Sequence, residues 1–78
     1  MPHVIIKMYT GRTPEQKRAA AKAAAGAVVD SLGVDPTGLT VDIQDFSKDE
    51  WQEKVVDKDI KPREQELIIR YGTAREDW

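Results

Sequence analysis

The sequence predicts an α+β fold. A β-α-β unit with parallel strands is followed by a helical C-terminal segment, and its sheet is completed by dimerisation. Three observations predict it. Residues 3–9 are β-branched and aromatic, residues 39–46 alternate apolar with polar, and a capped, alanine-rich helical stretch lies between them. Strand, helix and strand of these lengths close into a right-handed crossover with the two strands parallel. Two strands are too few for an independent sheet, so a dimer with a four-stranded sheet is the smallest sensible particle, a hexamer being the alternative.

The first strand, residues 3–9, carries His3, Val4, Ile5, Ile6 and Tyr9, all of which favour extended backbone. Its apolar residues fall on both alternating faces, as in a strand covered on both sides. Gly11 breaks it and Arg12 sits in the turn. Thr13-Pro14-Glu15-Gln16 then opens a helix. Thr13 can accept from the Gln16 amide, Gln16 can reach back, Pro14 suits the first helical position, and Glu15 lies at the positive end of the dipole. The helix runs through residues 19–32, with Ala23, Ala27, Val28 and Leu32 among its apolar positions and Gly33 as its C-cap.

Residues 34–38 are a turn by composition. In the second strand Leu39, Val41 and Ile43 share one face, with Thr40, Asp42 and Gln44 on the other. Ser47-Lys48-Asp49-Glu50 reads as a second capping box, opening a helix whose apolar face holds Trp51, Val55, Val56 and Ile60. Pro62 ends or kinks it. A last short helix is expected over residues 63–69, leading to Tyr71-Gly72 and a polar tail. No linker is visible, so residues 1–78 are expected to form a single domain.

The totals narrow the function. A chain of 78 residues is near the size at which one core supplies only a few kcal/mol, and chains below roughly 80 residues usually gain a disulfide, a metal or a partner. With no cysteine and a single histidine, disulfides are excluded and no metal site is expected. Association between copies is the expected source of the missing core. The 12 basic and 14 acidic residues are interspersed, for a net charge of −2, without the basic stripe that nucleic acid would require. No apolar run approaches the ~20 residues of a membrane span, and no signal segment is seen. A soluble cytoplasmic protein is expected, with neither nucleic acid nor membrane as partner.

The chemistry concentrates at the start. If Met1 is removed, Pro2 becomes a secondary amine at the end of a strand, with an intrinsic pKa of ~8 by analogy with other α-amino groups. Burial and a nearby cation would lower that value toward neutrality, where a base suited to proton abstraction beside a carbonyl belongs. Proline follows the start methionine in many unrelated chains, so Pro2 means little without partners. Arg12 is either a solvated turn residue or a planar, two-pronged clamp for a carboxylate whose charge favours neutral Pro2 and a developing enolate. Trp51 is a core anchor or the wall of an apolar pocket. His3 reads most simply as a sheet residue, and Tyr9 either lines a pocket or packs in the sheet.

Met1-Pro2-His3-Val4-Ile5-Ile6-Lys7, then Gly11-Arg12-Thr13-Pro14-Glu15-Gln16-Lys17, then Leu39-Thr40-Val41-Asp42-Ile43-Gln44-Asp45 and Trp51, together resemble the tautomerase superfamily. These are the small β-α-β proteins similar to 4-oxalocrotonate tautomerase. Beyond Trp51 the chain looks unlike the short hairpin tail of the hexameric type and more like the dimeric PptA-like branch, which has a helical C-terminal segment and resembles enzymes acting on phenylpyruvate-type enols. The resemblance implies a cofactor-independent keto–enol tautomerase in which processed Pro2 is the general base, Arg12 binds the substrate carboxylate and Trp51 helps wall the pocket. His3, Tyr9 and Thr40 are further pocket candidates. Where the hexameric enzymes carry a second arginine this chain has Thr40. A monoacid 2-oxo acid with an aromatic or apolar end therefore fits better than a diacid, unless Arg70 or Arg75 supplies the second cation. Two alternatives remain: a hydratase or dehalogenase that uses protonated Pro2 as an acid, and a non-catalytic homodimeric binding protein.

Overall fold

Strand β1 spans His3–Tyr9 and pairs in parallel with β2, Thr40–Phe46, in a register that sets His3 opposite Thr40 and Tyr9 opposite Phe46. This computed structural model describes residues 1–77, which form two compact units, Met1–Ser47 and the segment from Lys48 onward. The first unit is the expected β-α-β unit, with the second strand beginning one residue later than the alternation suggested. Side chains alternate across the sheet, so Val4, Ile6 and Met8 share a face with Val41 and Ile43. His3, Ile5, Lys7 and Tyr9 share the other with Thr40, Asp42, Gln44 and Phe46.

Helix α1, Pro14–Leu32, starts as its sequence requires. Thr13 accepts from the Gln16 amide at 3.1 Å, and the Gln16 side chain accepts from the Thr13 amide at 3.0 Å, which closes the capping box. Gly33 ends the helix in the left-handed region at φ 65° and donates to the Val29 carbonyl. The helix lies against β2, and its half-buried stripe is Lys17, Ala20, Ala21, Ala24, Ala25, Val28 and Val29. Of the apolar positions named from the sequence, Val28 lies in this stripe, whereas Ala23, Ala27 and Leu32 face solvent. Residues 19–27 are alanine but for Lys22 and Gly26, which leaves little apolar periodicity to mark an inner side. The side is marked instead by Lys17, whose Nζ donates to Asp45 Oδ2 on β2 at 2.8 Å.

The link to β2 is a 3₁₀ turn, Pro36–Gly38, capped by Asp35. The Asp35 carboxylate accepts from the Thr37 amide at 3.0 Å and the Thr37 hydroxyl at 2.9 Å, and these bonds hold its pKa below the ordinary aspartate value. The opposite sheet face has no cover within this unit. Ile5 and Tyr9 stay 48% and 46% exposed on it, and at its far end Lys7 lies over the Phe46 ring, 5.9 Å from the centroid.

The second unit begins with helix α2, Lys48–Trp51, which passes into π-type winding over Gln52–Ile60. Of the expected apolar face, Val55 is buried at 4% exposure and Trp51, Val56 and Ile60 are half-buried. The winding tightens into a 3₁₀ turn at Lys61–Arg63, around Pro62. A proline ring cannot follow an uninterrupted helix without striking the carbonyl four residues back. The helix expected over residues 63–69 does not form. In its place stands a hairpin of β3, Ile69–Arg70, and β4, Thr73–Ala74. Tyr71 and Gly72 turn it with φ 46° and 88°, the double left-handed geometry of a tight hairpin. The helical part of the C-terminal segment is therefore Lys48 to Arg63, and a short hairpin, in place of the expected helical ending, follows it.

Candidate active site

The N-terminal end of the sheet is tied together by one residue. The Thr40 amide donates to the Pro2 carbonyl at 3.2 Å, and the Thr40 hydroxyl is 2.6 Å from His3 Nδ1. The first residue of β2 thus holds both Pro2 and the first residue of β1, and Pro2 is half-buried. The turn before β2 also approaches this end, since a Cβ on Gly38 would stand 3.2 Å from the Met1 sulfur. With Met1 in place the Pro2 nitrogen belongs to a peptide bond and is not basic.

The C-terminal end is built differently. The Thr10 amide donates to the Phe46 carbonyl at 3.0 Å, extending the ladder one residue past β1. Gly11 then takes φ 116°, which L side chains rarely adopt, and turns the chain into the cap of α1. Arg12 follows that turn, exposed. With Met8, Gln16, Lys17 and Ala20 it lines a cavity of about 190 Å³. Gln16 is occupied by the capping box and Lys17 by Asp45. Arg12 is the lining cation with no hydrogen bond or ion pair among the described residues. Lys17 and Gln16 were not marked as site residues in the sequence. Their signal was their place in the first turn of the capped helix that follows Arg12.

Pro2 and Arg12 are thus not brought together within one chain. The seven residues of β1 separate them by about 20 Å at ~3.3 Å per residue. His3 and Thr40 stand with Pro2, whereas Tyr9 stands at the Arg12 end.

In the second unit Trp51 closes the α-helical turn, half-buried. The two arginines considered as a second cation are both engaged there. Arg70 donates to the Glu64 carbonyl at 2.7 Å, and Arg75 binds Asp77 in two-pronged fashion at 2.9 and 2.6 Å. The Arg75 bond holds the Asp77 carboxyl below its usual range. Both arginines line a cavity of about 530 Å³ with Gln65, Leu67, Thr73 and Ala74. Among the described residues, no group of three or more His, Cys, Asp or Glu is placed to hold a metal ion, and no helix is long and apolar enough to cross a membrane.

The family model described as "Tautomerase enzyme" matches residues 2–57, a stretch that opens on Pro2 and takes in Arg12, Thr40 and Trp51. The chain belongs to the tautomerase family. A curated relative from Xylella fastidiosa (strain 9a5c), named "Probable tautomerase", is 32% identical over 72 residues, spanning 92% of this chain and 88% of its own. Among solved structures, YwhB, a homologue of 4-oxalocrotonate tautomerase, matches with a TM-score of 0.60 at 38% identity, covering 62% of this chain and 79% of that one. A chain solved in a study of trans-3-chloroacrylic acid dehalogenase activity also matches, with a TM-score of 0.60 at 26% identity, covering 63% of this tautomerase and 92% of its own length. These relatives make the chain an enzyme of the isomerase kind, on the 4-oxalocrotonate tautomerase fold.

Proposed function

We propose that the chain is a cofactor-independent keto–enol tautomerase of 2-oxo acids, with Pro2 as the general base once Met1 is removed. The observation that supports it best is the clamp on Pro2, whose carbonyl is bound by the Thr40 amide at the strand end where the family match begins. In this mechanism the neutral amine takes a proton from the enol oxygen or the adjacent carbon and returns it to the other position. Arg12 binds the carboxylate and favours the charge that develops toward the enolate. Tyr9 lines the Arg12 end of the pocket. The preferred substrate is a monoacid with an aromatic or apolar end, such as phenylpyruvate, because no second arginine stands at Thr40 and both Arg70 and Arg75 are engaged.

The separation of Pro2 from Arg12 requires a second copy to supply the arginine. The uncovered sheet face, with Ile5 and Tyr9 exposed, offers the surface on which copies associate. We take the particle to be a cytoplasmic homodimer of the PptA-like kind, each protomer acting as one domain.

The test is Pro2→Ala with the terminus confirmed by intact mass. Loss of a general base lowers the ketonisation rate of phenylpyruvate enol by roughly 10²- to 10⁴-fold. Unchanged activity would refute the proposal. The likeness to the dehalogenase-study chain favours one second reading, in which protonated Pro2 acts as an acid on an unsaturated acid. The pH–rate profile separates the two, because a base loses rate on the acid limb and an acid on the alkaline limb.

A further inference from the structure

We propose that the Lys17–Asp45 ion pair sets the charge of the Arg12 cavity, so that the cavity takes a singly charged carboxylate in preference to a doubly charged head group such as phosphate. The selection rests on the reading of Arg12 as the carboxylate contact and concerns what that contact accepts.

The cavity brings together two elements and the turn between them. Met8 comes from β1, Arg12 from the glycine turn, and Gln16, Lys17 and Ala20 from the start of α1. Two of these residues carry positive charge, and their surroundings differ. Arg12 has no hydrogen bond or ion pair among the described residues, whereas Lys17 Nζ donates to Asp45 Oδ2 at 2.8 Å. Asp45 does not itself line the cavity. It stands opposite Met8 in the strand register, on the sheet face that α1 covers, and Lys17 is the only partner of its carboxylate among the described residues. The pair therefore lies on the helix side of the sheet and away from the face on which copies associate. Its side chains are 28% and 31% exposed, so their charges are screened less than those of a fully solvated pair.

An ammonium that lines a cavity but is neutralised by a carboxylate outside the lining leaves Arg12 as the one unmatched cation. One cation matches the single charge of a carboxylate, and the planar guanidinium suits its two oxygens. A phosphate group brings a second charge, which would leave water without a partner. Lys17 could supply that partner from the same cavity, and Asp45 withholds it.

The experiment is an NMR titration at about pH 8 with two probes, benzoate and phenyl phosphate, which carry one and about two negative charges there. The parent should bind benzoate the more tightly. In Asp45→Asn, which keeps the side-chain shape and frees Lys17, phenyl phosphate should bind about tenfold more tightly than to the parent, the size of a charge-assisted contact discounted for exposure. Benzoate should gain only about threefold, because the Coulomb energy scales with the ligand's charge. The double variant with Lys17→Met should lose both gains. Lys17→Met alone leaves Asp45 unneutralised and should weaken phenyl phosphate about tenfold and benzoate about threefold. Glu15→Gln removes an acidic charge from the same helical turn without releasing Lys17, and should change both affinities less than about twofold.

Tighter binding of phenyl phosphate than of benzoate by the parent overturns the proposal. So do equal gains for the two probes in Asp45→Asn, a gain that survives in the double variant, or the same gain in Glu15→Gln. If Asp45→Asn does not fold, Lys17→Met decides, and affinities equal to the parent's overturn the proposal. No binding to the parent, or binding that Arg12→Ala leaves unchanged, would instead refute Arg12 as the carboxylate contact and take the selection with it.

Discussion

The two ends of the β1–β2 pair are made from the same ladder and do opposite things. At the N-terminal end Thr40 binds both Pro2 and His3, so polar groups are satisfied and held. At the C-terminal end a glycine turn throws Arg12 outward beside a small cavity, where its neighbours Gln16 and Lys17 are engaged and it has no hydrogen bond or ion pair among the described residues. One end fixes a backbone segment, and the other leaves a cation for a ligand. Neither is a whole site. A strand of about 20 Å is longer than a small 2-oxo acid, so the two halves can work on one molecule only if they come from different copies.

That comparison can be broken at either end. Arg12→Ala should lower kcat/KM by roughly a hundredfold, mostly through KM, because it removes a two-pronged carboxylate contact, and steady-state kinetics reads it directly. An effect confined to stability would make Arg12 a solvated turn residue. Gly11→Ala should be next. A Cβ at φ 116° meets no neighbouring atom, so the strain lies in the backbone itself, about 1–3 kcal/mol. Thermal denaturation should show that loss, with KM rising as the turn presenting Arg12 is displaced. Thr13→Ala, which removes the helix cap just beyond Arg12, should cost about 1 kcal/mol of stability without changing the chemistry at Pro2.

The smallest effect belongs to the turn before Thr40. Thr37 stabilises the ionised Asp35 carboxylate, so its folded pKa lies below the ordinary aspartate value. A depressed pKa stabilises the fold above the unfolded value, and that contribution disappears as pH falls through the folded one. Asp35→Ala should therefore melt slightly below the parent at neutral pH, and the difference between them should shrink as the pH falls below 3.8. Melting curves at several pH values check this.

The same contrast explains what could be read from the residues. The β-α-β unit was legible because each boundary carries its own chemistry. Thr13 and Gln16 close the capping box, Gly33 takes the left-handed cap, and β-branched residues fill β1. The inner face of α1 was not, because alanines on every side of its middle turns leave little pattern to read, and the face is marked by Val28, Val29 and the Lys17–Asp45 pair. The hairpin Ile69–Arg70 with Thr73–Ala74 was missed for the opposite reason. Strands of two residues are too short to show alternation, and Glu64, Gln65, Glu66 and Leu67 favour helix but make too short a run to nucleate one. At the site, Pro2 and Arg12 stood out as residue types. The bond from Thr40 to His3 could not be read from residues 37 positions apart, because it depends on the register of two parallel strands.

The central claim, that one active site takes Pro2 from one copy and Arg12 from another, is tested most directly by mixing two inactive variants. Processed Pro2→Ala and Arg12→Ala proteins are combined in equal amounts, unfolded together, refolded, and assayed for ketonisation of phenylpyruvate enol. Random reassociation of copies pairs an intact Pro2 with an intact Arg12 at about a quarter of the sites, so activity should return to about a quarter of the parent's. Activity no higher than that of either variant alone would show that both residues must come from the same chain, and would contradict the account.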